Sequence, residues 1–302
     1  MTSETIGYLG VGLMGAPMVR RLLAAGYPVA VWGRTPDKLA PVLAAGASPA
    51  EGPADTARRC SVLMLCLTDT KAVEHVIFGP GGAAEGLAPG SVVVDFSSIQ
   101  PAATREIATR IARDHGVAWV DAPVSGGVPG AEQGTLAIMA GGTAEAVERV
   151  RPIVTHLANR FTHMGPSGAG QTTKLVNQVI AGCSFAVIAE AIRLAKEAGV
   201  DAARIPECLK GGFADSLPLQ VFGPRMAAGE WNPALGYTYV LMKDLDTAKD
   251  LAREVGAPLP MASVAAELMR MLIARVGPLE EPSALVDLLG PPMRQTPMRQ
   301  TK

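Results

Sequence analysis

Short apolar runs and stretches with helical spacing alternate through the first half of the chain. The runs at residues 5–9, 29–32, 61–67 and 91–96 are rich in Val and Leu and have few polar interruptions. Apolar runs of this length are typical of parallel strands that are buried on both faces of a sheet. Their alternation with helical stretches predicts an α/β fold with a doubly wound sheet.

From residue 168 onward the apolar spacing favours helices alone. The predicted helices cover about 170–199, 203–210, 217–228, 235–255 and 260–276. Strand–helix alternation followed by helices only predicts two domains, which we place at 1–166 and 167–290. The last stretch, 291–302, repeats Met-Arg-Gln and is expected to be a disordered tail.

A glycine motif follows the first predicted strand directly. Gly10-Val11-Gly12-Leu13-Met14-Gly15 has the form G-x-G-x-x-G and runs into a helical stretch. In that context Gly10 permits a tight turn, Gly12 lets the backbone approach a pyrophosphate, and Gly15 lets the helix pack closely on the sheet. The free amides of the helix N-terminus favour phosphate groups. The motif predicts a Rossmann-type dinucleotide site in the first domain, with Leu13 and Met14 as further contacts.

The end of the second predicted strand indicates which dinucleotide is used. NAD-preferring enzymes usually carry an acidic residue there, whereas this chain has Arg34 and Thr35, with Lys38 nearby. A guanidinium can bind the 2′-phosphate of NADP through two hydrogen bonds, and a carboxylate would repel it. We therefore expect NADP(H) to be preferred over NAD(H). A solvated loop arginine is the alternative interpretation.

Composition narrows the classes of partner. The 302 residues carry a net charge of −1 and no basic run, which argues against a nucleic-acid surface. The four cysteines are widely spaced and are expected to be core thiols, and the four histidines form no metal-binding motif. Every apolar run of about eighteen residues is broken by a charge or a glycine, so no membrane span is predicted. We expect a cytoplasmic protein, because the first strand leaves no room for a signal peptide.

Two further polar segments are candidates for the chemistry. Asp121-Ala-Pro-Val-Ser125-Gly126-Gly127 places a hydroxyl and flexible amides after a strand, a plausible carboxylate cradle. Gly168-Ala-Gly-Gln-Thr-Thr-Lys174-Leu-Val-Asn177 starts the first helix of the second domain, and its lysine and asparagine share one helical face. Small-ligand sites often form at domain boundaries, which favours Lys174 as a site residue over a solvated surface lysine.

Together these segments resemble the β-hydroxyacid dehydrogenase family over nearly the whole chain. Four family signatures occur in order: the glycine loop, the Asp121–Gly127 loop, the Gly168–Asn177 helix and a late Lys243-Asp244-Leu245 segment. The resemblance implies an NAD(P)-dependent oxidoreductase with an NADP-binding Rossmann domain over 1–166. It also implies an all-α domain for substrate binding and dimerisation over 167–290, and a homodimer or homotetramer.

The resemblance also implies roles for individual residues. Lys174 is the expected general acid and base, Asn177 orients the reacting groups, and Ser125 with the amides of Gly126 and Gly127 holds the substrate carboxylate. No metal is needed, since the lysine supplies the electrophilic role. Further cofactor contacts are expected at the strand ends and in the late segment, namely at Leu67, Ser97, Ser98 and Lys243.

One segment departs from the family pattern. Gly211-Gly212-Phe213-Ala214-Asp215-Ser216 corresponds to a family segment that helps close the substrate pocket, so Phe213 and Asp215 are assigned to substrate binding. An acidic side chain is unexpected beside an anionic substrate. Either Asp215 faces away from the substrate, or the substrate is not a plain short acid.

Several activities stay open within and beyond the family. The Asn177-Gln178 pair is similar to tartronate semialdehyde (2-hydroxy-3-oxopropionate) reductases, whereas 3-hydroxyisobutyrate dehydrogenases more often show two asparagines. The Arg34-Thr35 pair is similar to NADPH-using glyoxylate and succinic semialdehyde reductases, although Gly33 stands where those enzymes commonly have Asn. An imine reductase-like enzyme and a non-catalytic dinucleotide-binding protein are the alternatives of other classes. Lys174 argues against both, since such proteins usually lack it.

Overall fold

The computed structural model describes residues 4–292, which divide into two compact units, one up to Lys174 and the other from Leu175 onward. The boundary expected from sequence, after residue 166, falls in the turn before the helix that contains this division. The expected tail at 291–302 lies, from residue 293 onward, outside the described residues.

The first unit contains a nine-stranded, mostly parallel sheet. Its strands are Ile6–Leu9 (β1), Val29–Trp32 (β2), Ser48–Pro49 (β3), Val62–Leu65 (β4), Val92–Asp95 (β5), Ala118–Asp121 (β6), Val124–Ser125 (β7), Leu136–Gly141 (β8) and Ala158–Gly165 (β9). Strands β3-β2-β1-β4-β5-β6 are parallel neighbours in that order, which is the order of a doubly wound dinucleotide-binding sheet. Strand β8 runs antiparallel to β6 and β7, and β9 runs parallel to β8. The predicted Rossmann-type fold is confirmed.

Helices connect the strands of this unit. They are Gly15–Ala24 (α1), Ala40–Ala44 (α2), Pro53–Arg58 (α3), Thr70–Phe78 (α4), Pro101–His115 (α5), Gly127–Gln133 (α6) and Ala144–Val154 (α7). The sequence predicts no helix at α6, whose Gly-Val-Pro-Gly start has poor helix propensity. The spacing of residues 143–158 predicts a helix over that whole range, but α7 ends at Val154 and Ala158 already belongs to β9.

Both faces of the central sheet are buried, which explains the continuous apolar runs. In β4, Val62 and Met64 belong to one core cluster, while Leu63 and Leu65 belong to another. Successive side chains of a strand point to opposite faces, so all four must be apolar when helices cover both sides.

The regular elements in the described part of the second unit are all helices. Its helices are the later part of Ala169–Glu197 (α8), Ile205–Leu209 (α9), Leu217–Ala228 (α10), Thr238–Val255 (α11) and Pro260–Val276 (α12). They enclose a separate core that includes Phe185, Ala189, Leu245 and Met269. The predicted all-α character of the second domain is confirmed, with the bounds of α10 and α12 as expected from the spacing.

Helix α8 is long and apolar enough to cross a membrane by length and composition. Its most apolar 18-residue window has a mean hydropathy of 1.7, and 33% of that window is buried. Every such window includes Gly182, the kind of break on which the sequence-based expectation relied. The core helix of a soluble protein has the same length and composition, so this single helix does not define a membrane protein.

The cysteines do not all lie in the core. Cys60 is buried as expected, whereas Cys208 is exposed, contrary to the expectation of core thiols. Burial raises the pKa of Cys60 and of Cys66 to about 12, which keeps both thiols protonated and unreactive at neutral pH.

Candidate active site

In the glycine loop between β1 and α1, two glycines have no room for a side chain and the third faces open space. Gly10 has a φ of +96°, and a Cβ there would collide with the carbonyl of Cys66. A Cβ on Gly15 would collide with the carbonyl of Gly10, whereas a Cβ on Gly12 would meet nothing within 4 Å. The chain's own packing therefore requires Gly10 and Gly15, and open space in front of Gly12 leaves its backbone accessible to a ligand.

The start of helix α1 fits a phosphate group. It has no side-chain cap and no acidic residue in its first turn. The first amides of a helix lack intrahelical partners and carry the positive end of the helix dipole. An anionic ligand can take the place of the missing cap, so this part of the chain fits the pyrophosphate of a dinucleotide.

A cleft extends from this loop between β2 and α4. It is lined by Gly10, Val11, Gly12, Trp32, Gly33, Arg34, Thr35, Lys38, Leu39, Cys66, Leu67, Thr68, Ala72, His75 and Val76. The lining includes two cations and a histidine and contains no acidic residue. Six residues that sequence assigned to the cofactor lie here: Gly10, Gly12, Arg34, Thr35, Lys38 and Leu67. Leu13, Met14, Gly15, Ser97 and Ser98 lie outside this lining.

Ser97 holds a segment of chain that lines the cleft. It is buried, and its Oγ accepts a hydrogen bond from the amide of Leu67 at 2.9 Å. The amide of Ser97 in turn donates to Asp95 Oδ1 at 2.9 Å. Ser97 therefore fixes the chain that follows β4, while Ser98 is only half-buried and closer to the surface.

Asp95 is a fully buried carboxylate beneath these strand ends. Burial raises its pKa to about 7; the Ser97 hydrogen bonds lower it, and the charge of Asp121 raises it. Its Oδ2 has no hydrogen-bond partner among the described residues. At neutral pH this group is therefore in part a neutral carboxylic acid.

The predicted carboxylate cradle forms a short strand and a helix start. Ser125 is half-buried in β7 and pairs with Ala137 of β8, while Gly126 and Gly127 are exposed. Both glycines have positive φ, +130° and +61°, which an L side chain rarely adopts. Helix α6 begins at Gly127, so backbone amides and the Ser125 hydroxyl are available together at this point.

Lys174 lies in the second turn of α8 and is half-buried. The start of that helix is attached to the end of β6. Asp121 is fully buried and accepts hydrogen bonds from the amides of Gly168 and Gln171, at 2.8 and 2.9 Å. Burial raises the pKa of Asp121, and the amide hydrogen bonds lower it. Sequence pointed to the loop that Asp121 opens, but not to this contact.

In the second unit, a chain of polar side chains connects α8 with α11. Asn177 Nδ2 donates to Gln178 Oε1 at 2.9 Å, and Gln178 Nε2 donates to Asp244 Oδ2 at 2.6 Å. Lys243 Nζ lies 3.2 Å from Asp244 Oδ1. Two signatures that are far apart in sequence are thus connected through Gln178 and the buried Asp244, two residues to which the sequence alone gives no role.

Asp215 is engaged within its own loop. Its Oδ2 accepts from the amide of Gly211 at 2.7 Å, and its Oδ1 accepts from Gln220 Nε2 at 2.6 Å. These bonds, with that to Gly211 first, lower the pKa of Asp215. The carboxylate is satisfied without a substrate, and the loop that it closes leaves Phe213 fully exposed.

Comparison with known proteins agrees with this architecture. Residues 5–165 match the NAD-binding domain of 6-phosphogluconate dehydrogenase, and residues 168–289 match the NAD-binding family of NADP-dependent 3-hydroxyisobutyrate dehydrogenase. The chain is 37% identical to the 2-hydroxy-3-oxopropionate reductase of Escherichia coli (strain K12), over 94% of this chain and 96% of that protein. It is 35% identical to an NAD-dependent L-serine dehydrogenase of Pseudomonas aeruginosa, over 89% and 92%.

A solved structure is similar over nearly the whole length of the chain. The structure of Mycobacterium tuberculosis 3-hydroxyisobutyrate dehydrogenase with L-serine has a TM-score of 0.87 and 28% identity, and covers 95% of this chain and 99% of that one. The fold and these matches define an NAD(P)-dependent oxidoreductase that acts on CH–OH groups of small molecules. The chain belongs to the β-hydroxyacid dehydrogenase family.

Proposed function

We propose that this enzyme reduces 2-hydroxy-3-oxopropionate, or a closely related short semialdehyde acid, with NADPH. The proposal is carried by the cationic cleft that begins at the glycine loop, together with Lys174 on α8. The name of the E. coli relative supports the substrate class, because that protein is similar over nearly the full length of both chains.

The cleft supports NADP over NAD. Arg34, Thr35 and Lys38 all line it, and no residue in its lining is acidic. A 2′-phosphate adds negative charge, which a guanidinium and an ammonium attract and a carboxylate repels. The free ribose 2′-OH of NAD would gain little from Arg34, and its usual acidic partner is missing from the lining.

The substrate carboxylate is assigned to the segment that follows β6. The Ser125 hydroxyl and the amides of Gly126 and Gly127 are neutral donors, and glycine at the last two positions leaves the backbone unobstructed. Neutral donors in fixed positions hold a carboxylate and orient the adjacent carbonyl for reaction. Phe213 is assigned to the substrate pocket, while Asp215 keeps the Phe213 loop closed through its own hydrogen bonds.

Lys174 is assigned as the proton donor. When bound, NADPH supplies the hydride that reduces the carbonyl carbon. Lys174 then stabilises the alkoxide oxygen and protonates it, and in the oxidative direction its neutral form takes the hydroxyl proton. Asn177, one helical turn further on, orients the hydroxyl with an amide whose other contact is Gln178. Lys243, beside Asp244, is assigned to the cofactor.

A homodimer or homotetramer is also proposed. Val176, Ile180, Val187 and Leu194 form a row along α8, and between 52% and 70% of each side chain is exposed. The last three are seven residues apart, so they share one face of the helix. Apolar rows of this kind usually mark an interaction surface, and a second copy of this chain is the expected partner.

A carbonyl panel tests the activity. NADPH and NADH oxidation is measured with 2-hydroxy-3-oxopropionate, glyoxylate, succinic semialdehyde, methylmalonate semialdehyde and one cyclic imine, with Lys174→Ala as the blank. Fastest turnover of 2-hydroxy-3-oxopropionate with NADPH supports the proposal. Preference for methylmalonate semialdehyde would assign a 3-hydroxyisobutyrate dehydrogenase, and preference for glyoxylate or succinic semialdehyde would assign the corresponding reductase. Turnover of the imine alone would replace the proposal with amine chemistry.

A further inference from the structure

We infer that Asp121, with Gln171, is a positioning residue that fixes Lys174 relative to the carboxyl edge of the sheet. The inference rests on the proposed role of Lys174 and concerns two residues with no part in the proton transfer. Both lie in the first unit, as does Lys174.

Asp121 takes the place of a helix cap for α8. The capping side chain normally comes from the residue just before the helix, but that residue is Gly168, which has none. Instead, the carboxylate at the end of β6 accepts from the amides of Gly168 and Gln171. The amide of Ala169 donates to Pro166 and that of Thr172 to Gly168. A negative charge from a neighbouring strand thus lies against the positive end of the helix.

Two glycines bring the helix start close enough for this contact. A Cβ on Gly170 would lie 2.6 Å from the carbonyl oxygen of Asp121, and a Cβ on Gly141 would lie 2.6 Å from Asp121 Oδ1. Distances this short require a shift of the backbone or of the carboxylate. The close approach of α8 to β6 and β8 is therefore built into the chain at two separate positions.

Gln171 attaches the same helical turn to a second strand. It is 1% exposed, its Nε2 donates to the carbonyl of Ser97 at 2.7 Å, and its Oε1 accepts from the amide of Ile99 at 3.1 Å. Ser97 in turn accepts from Leu67, which lines the cofactor cleft. The first turn of α8 is thus connected by hydrogen bonds, most of them buried, to the chain at the ends of β4, β5 and β6.

Lys174 follows Gln171 by three residues in a continuous helix. Since α-helices are stiff over one turn, the position of the first turn sets the position of the Lys174 backbone. A displacement of about 1 Å at a reacting group can cost on the order of a hundredfold in rate. The buried hydrogen bonds of Asp121 and Gln171 are suited to prevent such a displacement.

The test compares Asp121→Asn and Gln171→Met with the wild type, on the best substrate of the panel. Asparagine keeps the shape of the side chain but turns an NH₂ group toward one of the helix amides. We expect kcat at saturating NADPH to fall about 10- to 100-fold, while the NADPH Kd changes less than about threefold. Thr143→Ala is the matched control, because Thr143 caps α7 through Ala146 and that helix carries no site residue. It should lower Tm and leave kcat unchanged.

A double-mutant cycle separates positioning from a general loss of structure. In a Lys174→Ala background, the Asp121→Asn change should leave the residual rate unchanged, because no lysine remains to be positioned. An equal fractional loss in both backgrounds would overturn the inference, as would a wild-type kcat in both single variants. Substantial activity of Lys174→Ala itself would instead remove the proposed role of Lys174, and the positioning role with it.

Discussion

Asp95 and Asp121 are register partners at the carboxyl ends of adjacent parallel strands, and both side chains are fully buried. Their surroundings differ sharply. Asp121 accepts hydrogen bonds from the start of α8, whereas Asp95 Oδ2 has no partner among the described residues. Burial makes the ionised carboxylate costly and the hydrogen bonds from Ser97 offset only part of that cost, so the pKa of Asp95 reaches about 7.

Asp95 should therefore make stability fall as pH rises. Its folded-state pKa of about 7 lies above the unfolded value near 4, so its full contribution is present below about pH 4 and is lost as pH rises through 7. The Asp95→Asn variant lacks this titration. Urea unfolding should show that the free energy of unfolding of the variant, relative to that of the wild type, increases between pH 5 and pH 8 by on the order of a few kcal/mol.

Asp114→Asn serves as the control for that experiment. A hydrogen bond from Arg113 lowers the pKa of Asp114, so any contribution of this group is lost only as pH falls below its unfolded range. The stability difference between Asp114→Asn and wild type should stay constant from pH 5 to pH 8. A constant difference for Asp95→Asn as well would show that Asp95 does not titrate in this range.

Arg34→Ala should distinguish the two cofactors. Loss of a guanidinium that binds a phosphate removes roughly 1.5–3 kcal/mol, which corresponds to about a 10- to 100-fold weaker Kd for NADPH. The Kd for NADH should change little. Cofactor titrations monitored by fluorescence check this, with Arg20→Ala on the exposed side of α1 as the control. Equal weakening of both cofactors would contradict the 2′-phosphate assignment.

Lys174→Ala should lower kcat by orders of magnitude and spare cofactor binding. A positioned general acid contributes about 10²- to 10⁴-fold, and an alanine can neither donate a proton nor stabilise an alkoxide. Steady-state kcat and the NADPH Kd are measured in parallel, with Lys196→Ala, an exposed lysine later on the same helix, as the control. A variant that keeps a tenth of the wild-type rate would exclude the lysine from this role.

Asp215→Ala should loosen the loop that carries Phe213. The alanine variant loses the hydrogen bonds from Gly211 and Gln220, so the amide of Gly211 should exchange faster with deuterium. We expect a higher KM with a smaller change in kcat, since Asp215 acts through the loop. Asp201→Ala, which removes a carboxylate from the amide of Ala203, is the control. If KM is unchanged although the Gly211 amide exchanges faster, the loop does not contribute to substrate binding.

Ile180→Lys should disrupt the proposed oligomer. A lysine in the exposed apolar row of α8 would be buried without a partner if this face associates. The free-energy cost of that burial should prevent association. Sedimentation velocity should show a smaller species than the wild type. Lys196→Glu, at an exposed position on the opposite side of the same helix, should keep the wild-type size. A monomeric wild type would exclude this row as a self-association surface.

The sequence by itself determined those features that depend on a single continuous stretch of residues. Apolar runs identified the buried strands, the glycine spacing identified the loop before α1, and Arg34 was placed at the end of β2, where the structure has it. These features follow from one stretch of chain each. The sequence does not predict helices α2, α3 and α6 individually, because short helices that contain Gly or Pro have weak local signals.

Tertiary structure alone decided which distant groups meet. Asp121 lies 47 residues before Gly168, and Gln178 lies 66 residues before Asp244, so no spacing rule could connect them. The unexpected acid Asp215 is explained by donors in its own loop, which depend on how the chain turns between α9 and α10. Hydrogen bonds between buried groups depend on where strands and helices end in space, and only packing of the whole sheet and helix layers sets those positions.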